Sequence, residues 1–226
     1  MRVAALYDVH GNVHALAAVL ADIGDVDVVL FGGDIASGPF PRETLDLVRS
    51  VPNAVAVRGN ADELLSPGLP ETAAAARRWV AAQISEEDVA WLAALPFSWS
   101  ADDTLYVHAN PVDVGQYVTP RTPDARVAQL LAGVGERQVV TGHVHVQFER
   151  RVDGVRWVGA GSVGCPYVVG DPGAEWALLD DGEAAFRRTA YDVERADAAM
   201  RASGYPRAAD YVETRTSGAR WIATAE

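Results

Sequence analysis

The sequence predicts an α/β layered domain: two β-sheets packed face to face, with helices on the outside. Three observations carry this reading. Short apolar, β-branched runs alternate with stretches of helical periodicity in the first part of the chain. Each such run ends in polar or glycine-containing residues, as strands of an open α/β sheet do. Beyond His145, similar runs flank Asp-Gly pairs instead, which is a hairpin signature.

Residues 3–7 form an apolar run that reads as a buried strand, followed by Asp8-Val9-His10-Gly11-Asn12. Val13, Leu16, Ala17, Leu20 and Ile23 then recur at helical spacing, with Asn12 placed as the N-cap. Residues 26–31 are a second strand, ending in Gly32-Gly33-Asp34. Pro41 suits the first turn of a helix with Leu45 and Val48 inward. Residues 54–57 are a third strand, ending in Arg58-Gly59-Asn60-Ala61-Asp62.

Residues 63–103 break the alternation and read as a helical insertion covering the site region. Pro70 opens an alanine-rich helix through Trp79 to Ile84. Ser85-Glu86-Glu87-Asp88 matches a capping box, and Pro96 ends the helix it starts. A helical layer over the sheet is favoured here over a mobile lid. Residues 105–107 are strand-like and deliver His108, and a loop through Tyr117 leads to a helix over 124–131. Residues 138–141 are a strand ending in Gly142-His143-Val144-His145. Runs 148–152 and 155–158 flank Asp153-Gly154, and runs 175–179 and 183–189 flank Asp181-Gly182, so the second half is expected to be antiparallel. Residues 192–203 are a helix stopped by Gly204 and Pro206. The tail from Arg207 has little pattern. The whole of 1–226 reads as one domain, with 192–226 as a C-terminal helical tail.

Composition narrows the function. Apolar residues make up 49% and charged residues 22%, as in ordinary globular chains. A net charge of −12 disfavours non-specific binding to nucleic acid or an anionic membrane, so acidic ligands need bound cations to attract them. Cys165 is the sole cysteine, which excludes an internal disulfide and fits a reducing cytoplasm. The apolar N-terminal run is short and meets Asp8, unlike a secretory leader, and no run is long enough to span a bilayer. The expected setting is cytoplasmic.

Seven ligand-type residues fall at the ends of five strands: Asp8, His10, Asp34, Asn60, His108, His143 and His145. Any one alone is more simply a cap or a satisfied polar group. Their recurrence at five strand ends is not explained that way. Imidazole and carboxylate without thiolate suit Mn, Fe, Zn or Ni. Seven ligands are too many for one catalytic ion with an open position and enough for two ions sharing a carboxylate. Gly11, Gly33, Gly59 and Gly142 adjoin these residues and let backbone come close.

In order, Asp8-x-His10, Gly33-Asp34, Gly59-Asn60, His108 and Gly142-His143-x-His145 resemble the five motifs of the calcineurin-like metallophosphoesterases, over residues 2 to about 180. Gly161-Ser162-Val163-Gly164, with Pro166 just beyond Cys165, resembles the small bacterial phosphodiesterase and phosphatase branch. The resemblance implies a two-sheet α/β/β/α sandwich and two divalent ions, manganese favoured. It implies that Asp8, His10 and His145 hold one ion, that Asn60, His108 and His143 hold the other, and that Asp34 bridges. The implied activity is hydrolysis of a small phosphodiester, phosphoanhydride or activated phosphomonoester by a hydroxide held between the ions. A non-catalytic binding module that keeps this fold, or a hydrolase of a non-phosphate ester, are the competing readings.

One departure bears on chemistry. Many members of the family carry His after the Gly-Asn, paired with Asp three residues after the bridging Asp, to protonate the leaving group. Here those positions are Ala61 and Ser37. Losing a general acid costs roughly 10²–10⁴-fold, least for leaving groups of low pKa. His14 is a candidate replacement acid, although an exposed helix residue is the simpler reading. Arg58 matches a phosphate-binding arginine of the family's protein phosphatases. Asn12 is expected to cap its helix, touch phosphate, or do both. Cys165 reads as structural or incidental.

Overall fold

The structure, a computed structural model, describes residues 1–167 and 173–217. Three parallel strands, β1 (Arg2–Leu6), β2 (Val28–Phe31) and β3 (Ala54–Ala56), alternate with α1 (Val13–Asp22) and α2 (Pro41–Arg49). The chain then makes two helices, α3 (Glu71–Ala81) and α4 (Glu86–Ala93), before entering a second sheet. In that sheet β5 (Thr104–Val107), β6 (Gln138–Thr141) and β8 (Val155–Ala160) run parallel, with α5 (Asp124–Leu130) between the first two. Antiparallel β4 (Ser98–Ala101) and β7 (Gln147–Val152) form its edges. A final hairpin, β9 (Ala174–Asp180) and β10 (Glu183–Thr189), returns to the first sheet beside β1. The orders are β10-β9-β1-β2-β3 and β4-β5-β6-β8-β7. Helices α6 (Val193–Ala202) and α7 (Ala208–Ser217) follow.

The layering comes from the two-residue period of the strands. On β1, Ala4 and Leu6 point into a core shared with Leu16 and Val19 of α1 and Leu45 of α2. Val3 and Ala5, with Tyr7 just beyond, point the other way, against Tyr106, Val140 and Val158 of the second sheet. Both faces of the strand are buried, so an unbroken apolar run is what this position requires. A third core lies outside the second sheet, where Val107, Val139 and Trp157 meet Val127 and Leu130 of α5. The Tyr7 hydroxyl donates to the Val140 carbonyl at 2.9 Å and ties the sheets together.

The α/β/β/α sandwich expected from sequence is what forms. Both Asp-Gly hairpin turns have two consecutive left-handed residues, Asp153 with Gly154 (φ 50° and 84°) and Asp181 with Gly182 (φ 48° and 81°). The capping box is present, with Ser85 and Asp88 each bonding the other's backbone. Ala76, Val80, Ile84, Leu92 and Leu95 pack into the core under the first sheet, so the inserted helices form a covering layer.

Two expectations need correction. The second half is mixed, because β5, β6 and β8 are parallel to one another. The 63–103 insertion is not wholly helical, since its end contributes β4. The tail contains α7, whose Val212 packs on Ala196 and Met200 of α6; residues 218–226 lie outside the described residues. Among the described residues no helix is long and apolar enough to cross a membrane.

Candidate metal centre

Parallel strands of both sheets release their loops at one edge, where α/β folds place ligands. There the loops after β1, β2, β3, β5 and β6 bring all seven strand-end residues together. Asp8, His10 and His145 form one group and Asp34, His108 and His143 another; within each, one ligand-type atom per residue lies within 4.8 Å of the others. Asn60 Oδ1 is 3.1 Å from His108 Nε2. Asp34 Oδ2 is 3.6 Å from His10 Nε2 and 3.6 Å from His108 Nε2, so it stands between the groups. Asp8 Oδ1 lies 3.3 Å from His145 Nε2 and 3.6 Å from His10 Nε2.

Each imidazole is aimed by a backbone carbonyl. His10 Nδ1 meets Ser37 O at 3.3 Å, His108 Nδ1 meets Gly32 O at 2.9 Å, and His145 Nδ1 meets Cys165 O at 2.6 Å. His143 is turned the other way, with Nε2 on Gly115 O at 2.9 Å. A carbonyl only accepts, so these nitrogens carry the protons. In a neutral ring the other nitrogen then presents its lone pair inward, as it does where a carbonyl orients a metal-binding imidazole. The carboxylates follow the same plan. Asp8 Oδ2 accepts from the His143 amide at 2.7 Å, and Asp34 Oδ1 from the Ala61 amide at 2.7 Å. Asp8 Oδ1 is buried with no hydrogen-bond partner. A buried anionic oxygen left so is costly unless a cation completes it. Donor types, the shared Asp34 and this orphaned oxygen all fit a pair of divalent ions.

The backbone is bent to reach this arrangement. Asp8, His10, Asp34, His143 and His145 all have left-handed φ, from 47° to 65°. The other described non-glycine residues with positive φ are turn aspartates. Such conformations cost of order 1–3 kcal/mol each and persist where surrounding structure imposes them. Here it is imposed by Asp8 N to Gly33 O (3.1 Å), His10 N to Asp34 O (2.8 Å) and Gly164 N to Asp8 O (3.0 Å). Two glycines make room for carboxylates: a Cβ on Gly59 would lie 2.2 Å from Asp34 Oδ1, and one on Gly142 2.3 Å from Asp8 Oδ2.

Electrostatics show how much positive charge the site demands. Burial opposes ionisation of Asp8, yet the imidazoles of His145 and His108 hold its carboxyl well below the usual range. Burial also opposes charge on His10, but Asp8 and Asp34 raise it to about 9. His143, buried beside His108, is lowered to about 4.

Sequence reasoning missed Asp62, which shapes the centre without facing it. Its Oδ2 accepts from the amides of Asp34 and Gly59, both at 2.8 Å, and its Oδ1 from Ile35 at 2.9 Å. Burial and the nearby Asp34 charge push its pKa up to about 6. The available signal was its place in Gly59-Asn60-Ala61-Asp62.

Three other candidates are placed elsewhere. Asn12 is fully buried; its Oδ1 caps α1 through the Ala15 amide (3.1 Å), and its Nδ2 donates to Gly164 O (2.9 Å) and the Tyr191 hydroxyl (3.2 Å). Its side chain is committed to the cap and leaves phosphate contact without support. Arg58 reaches the Ala93 carbonyl and the Glu63 carboxylate, each at 3.3 Å, and is not among the residues lining the cavity over the centre. His14 sets its ring edge against Phe40 at 5.4 Å and is likewise absent from that lining. The Cys165 thiol is buried and pushed up to about 12, so it is inert at neutral pH, as the structural reading expects.

The cavity has a volume of about 280 Å³ and is lined by centre residues together with both Ala61 and Ser37. Tyr117 stacks on His143 at 4.4 Å and Tyr167 on His145 at 4.5 Å. Helix α3 adds Ala73, Ala76 and Arg77, and the C-terminal region adds Tyr205, Arg207, Asp210, Tyr211 and Thr214.

A family model described as the calcineurin-like phosphoesterase superfamily domain matches residues 1–180. The chain resembles the crystal structure of a metallophosphoesterase from Sphaerobacter thermophilus, with a TM-score of 0.83 and 29% identity over 96% of this chain and 100% of that one. It shares the fold of a hypothetical protein from Pyrococcus horikoshii, with a TM-score of 0.84 and 20% identity over 97% and 99%. An uncharacterised protein from Methanocaldococcus jannaschii is 28% identical over 67% of this chain, a match that spans 65% of that relative.

Replacing Asp62 with Asn removes one acceptor and turns an amide donor toward backbone N–H groups. Urea unfolding of metal-free Asp62→Asn is expected to show a loss of about 1–3 kcal/mol. An unchanged midpoint would contradict the role given to this carboxylate.

Proposed function

Because the chain belongs to the calcineurin-like phosphoesterase superfamily, we propose that it is a hydrolase of small phosphate esters or anhydrides that works with two divalent ions. The observation that carries this is the position of Asp34 Oδ2, 3.6 Å from an imidazole of each group, beside the buried and unpartnered Asp8 Oδ1. Asp8, His10 and His145 would hold one ion, Asn60, His108 and His143 the other, and Asp34 both. Mn, Fe, Zn and Ni suit the donors, with manganese favoured. Bound there, such ions neutralise phosphoryl charge and make water a nucleophile near neutral pH.

The protein's own part is positioning. Backbone amides of His143 and Ala61 fix one oxygen of each carboxylate, and carbonyls fix each ring. The cavity suits a small molecule better than a polymer, and the charge of −12 opposes non-specific nucleic-acid binding. Ala61 and Ser37 offer no proton to a leaving group. Phosphodiesters, anhydrides and activated monoesters are the substrates that tolerate this.

Asp34→Asn is expected to lower bound metal, by elemental analysis after loading with manganese, from two ions per chain toward one or none, and to abolish hydrolysis of bis-p-nitrophenyl phosphate. Unchanged metal content and activity would end this reading. Across a series of aryl phosphodiesters, with chemistry shown to be rate-limiting, the wild-type rate should fall steeply as leaving-group pKa rises. The double change Ser37→Asp with Ala61→His should flatten that slope. A flat wild-type profile would mean that another group donates the proton.

A further inference from the structure

Among the described residues, three arginines are more than nine-tenths buried: Arg77, Arg156 and Arg215. Two of them are neutralised. Arg156 pairs with Glu149 at 2.8 Å and Glu183 at 3.1 Å, and Arg215 pairs with Asp197. Among the described residues Arg77 has no such carboxylate. Its protein contact is a hydrogen bond from Nη1 to the Glu63 carbonyl at 2.8 Å. The Glu63 carboxylate is turned instead to Arg58 at 3.3 Å and to the Ser66 hydroxyl at 2.8 Å. The N–H groups that Arg77 does not use on that carbonyl open onto the cavity. Anchoring one carbonyl uses one of five N–H donors and does not require a charge.

Arg77 lines the cavity over the metal centre, on the same face of α3 as Ala73 and Ala76, whose small side chains leave space. It bonds the loop after β3 two residues beyond Ala61, and Ala61 lines the same cavity. Arg207 lines the same cavity, with Nε 3.5 Å from Asp210. Two arginines thus line this one cavity beside the carboxylates of Asp34 and Asp210, and of the two arginines it is Arg207 that has an acidic partner. Arginine stays protonated, so it cannot act as a leaving-group acid. It can hold a departing oxyanion through paired N–H groups.

We propose that Arg77 is the leaving-group binding residue, and that the preferred substrate is a phosphoanhydride, whose leaving group is itself a phosphate oxyanion. This rests on the phosphoesterase reading and narrows its substrate class. One water adds across the P–O–P bond. Its oxygen bonds to the attacked phosphorus, the bridging oxygen departs with the electron pair on the second phosphate, and the water's protons pass to solvent or product phosphate. The leaving phosphate needs no proton to depart, which is why Ala61 and Ser37 are tolerated.

The test compares manganese-loaded wild type, Arg77→Met and Arg77→Lys at equal metal content. Calorimetric binding of methylenediphosphonate, a non-hydrolysable diphosphate, is measured alongside kcat/KM for pyrophosphate and p-nitrophenyl phosphate. Arg77→Met is expected to weaken methylenediphosphonate by about 30-fold or more, and to lower pyrophosphate turnover by a similar factor beyond its effect on the aryl ester. Arg77→Lys should recover part of the binding. Binding by Arg77→Met within about threefold of wild type, equal binding by the Met and Lys variants, or an equal loss on both substrates would overturn the assignment. If Arg77→Met does not fold, Arg77→Gln takes its place with the same expectations. If wild type hydrolyses neither compound, the phosphoesterase reading fails, and methylenediphosphonate binding alone decides the role of Arg77.

Discussion

Carboxylates taken out of water must meet positive charge or hydrogen bonds, and this site concentrates three of them. Asp8, Asp34 and Asp62 are at most 3% exposed. Asp62 is satisfied by three backbone amides, which leaves Asp8 and Asp34 facing four imidazoles. Those imidazoles cannot satisfy the carboxylates as neutral rings that give their protons to backbone carbonyls. Protons or metal cations must supply the charge. The rise of His10 to about 9 is the same demand expressed through protons. The two sheets have to meet with their parallel strands aligned at one edge for these side chains to converge at all, so the sandwich architecture follows from the same constraint.

Holding the cluster costs backbone energy, and the surroundings show where it is recovered. Five left-handed ligand-type residues sit in loops bonded to one another rather than to solvent. Gly59 and Gly142 lie where any side chain would collide with a carboxylate. Asn12 bonds the turn after β8 to the start of α1, so the first loop is tied to the turn that orients His145 through Cys165. A scaffold that only bound a partner would gain nothing from five strained residues around a buried, unpartnered oxygen.

The legible parts of this molecule were those set by local pattern. Strand ends bearing Asp8, Asp34, His108 and His143 stood out because apolar periodicity stops sharply there. The Asp-Gly turns and the Ser85 capping box are short-range signals with their own chemistry. Strand β4, Ser-Trp-Ser-Ala, is half exposed at a sheet edge and carries neither a β-branched run nor an apolar alternation strong enough to read. Helix α7 is polar along most of its length, and tertiary contacts of Val212 and Arg215 hold it in place. Side-chain direction was also out of reach. Arg58 and Arg77 lie nineteen positions apart in sequence, and only folding turns the first toward Glu63 and the second into the cavity. Arg77 and Arg78 are adjacent, yet Arg78 pairs with Glu71 at 2.5 Å on the exposed surface.

The proposed dinuclear centre requires Asp34 to join two ions. Electron paramagnetic resonance of protein loaded to saturation with Mn²⁺ tests it directly, because two manganese ions sharing a carboxylate are magnetically coupled. Two ions per chain and a coupled dinuclear spectrum are expected. An uncoupled six-line signal at saturation, with one ion per chain or two independent ions, would contradict it.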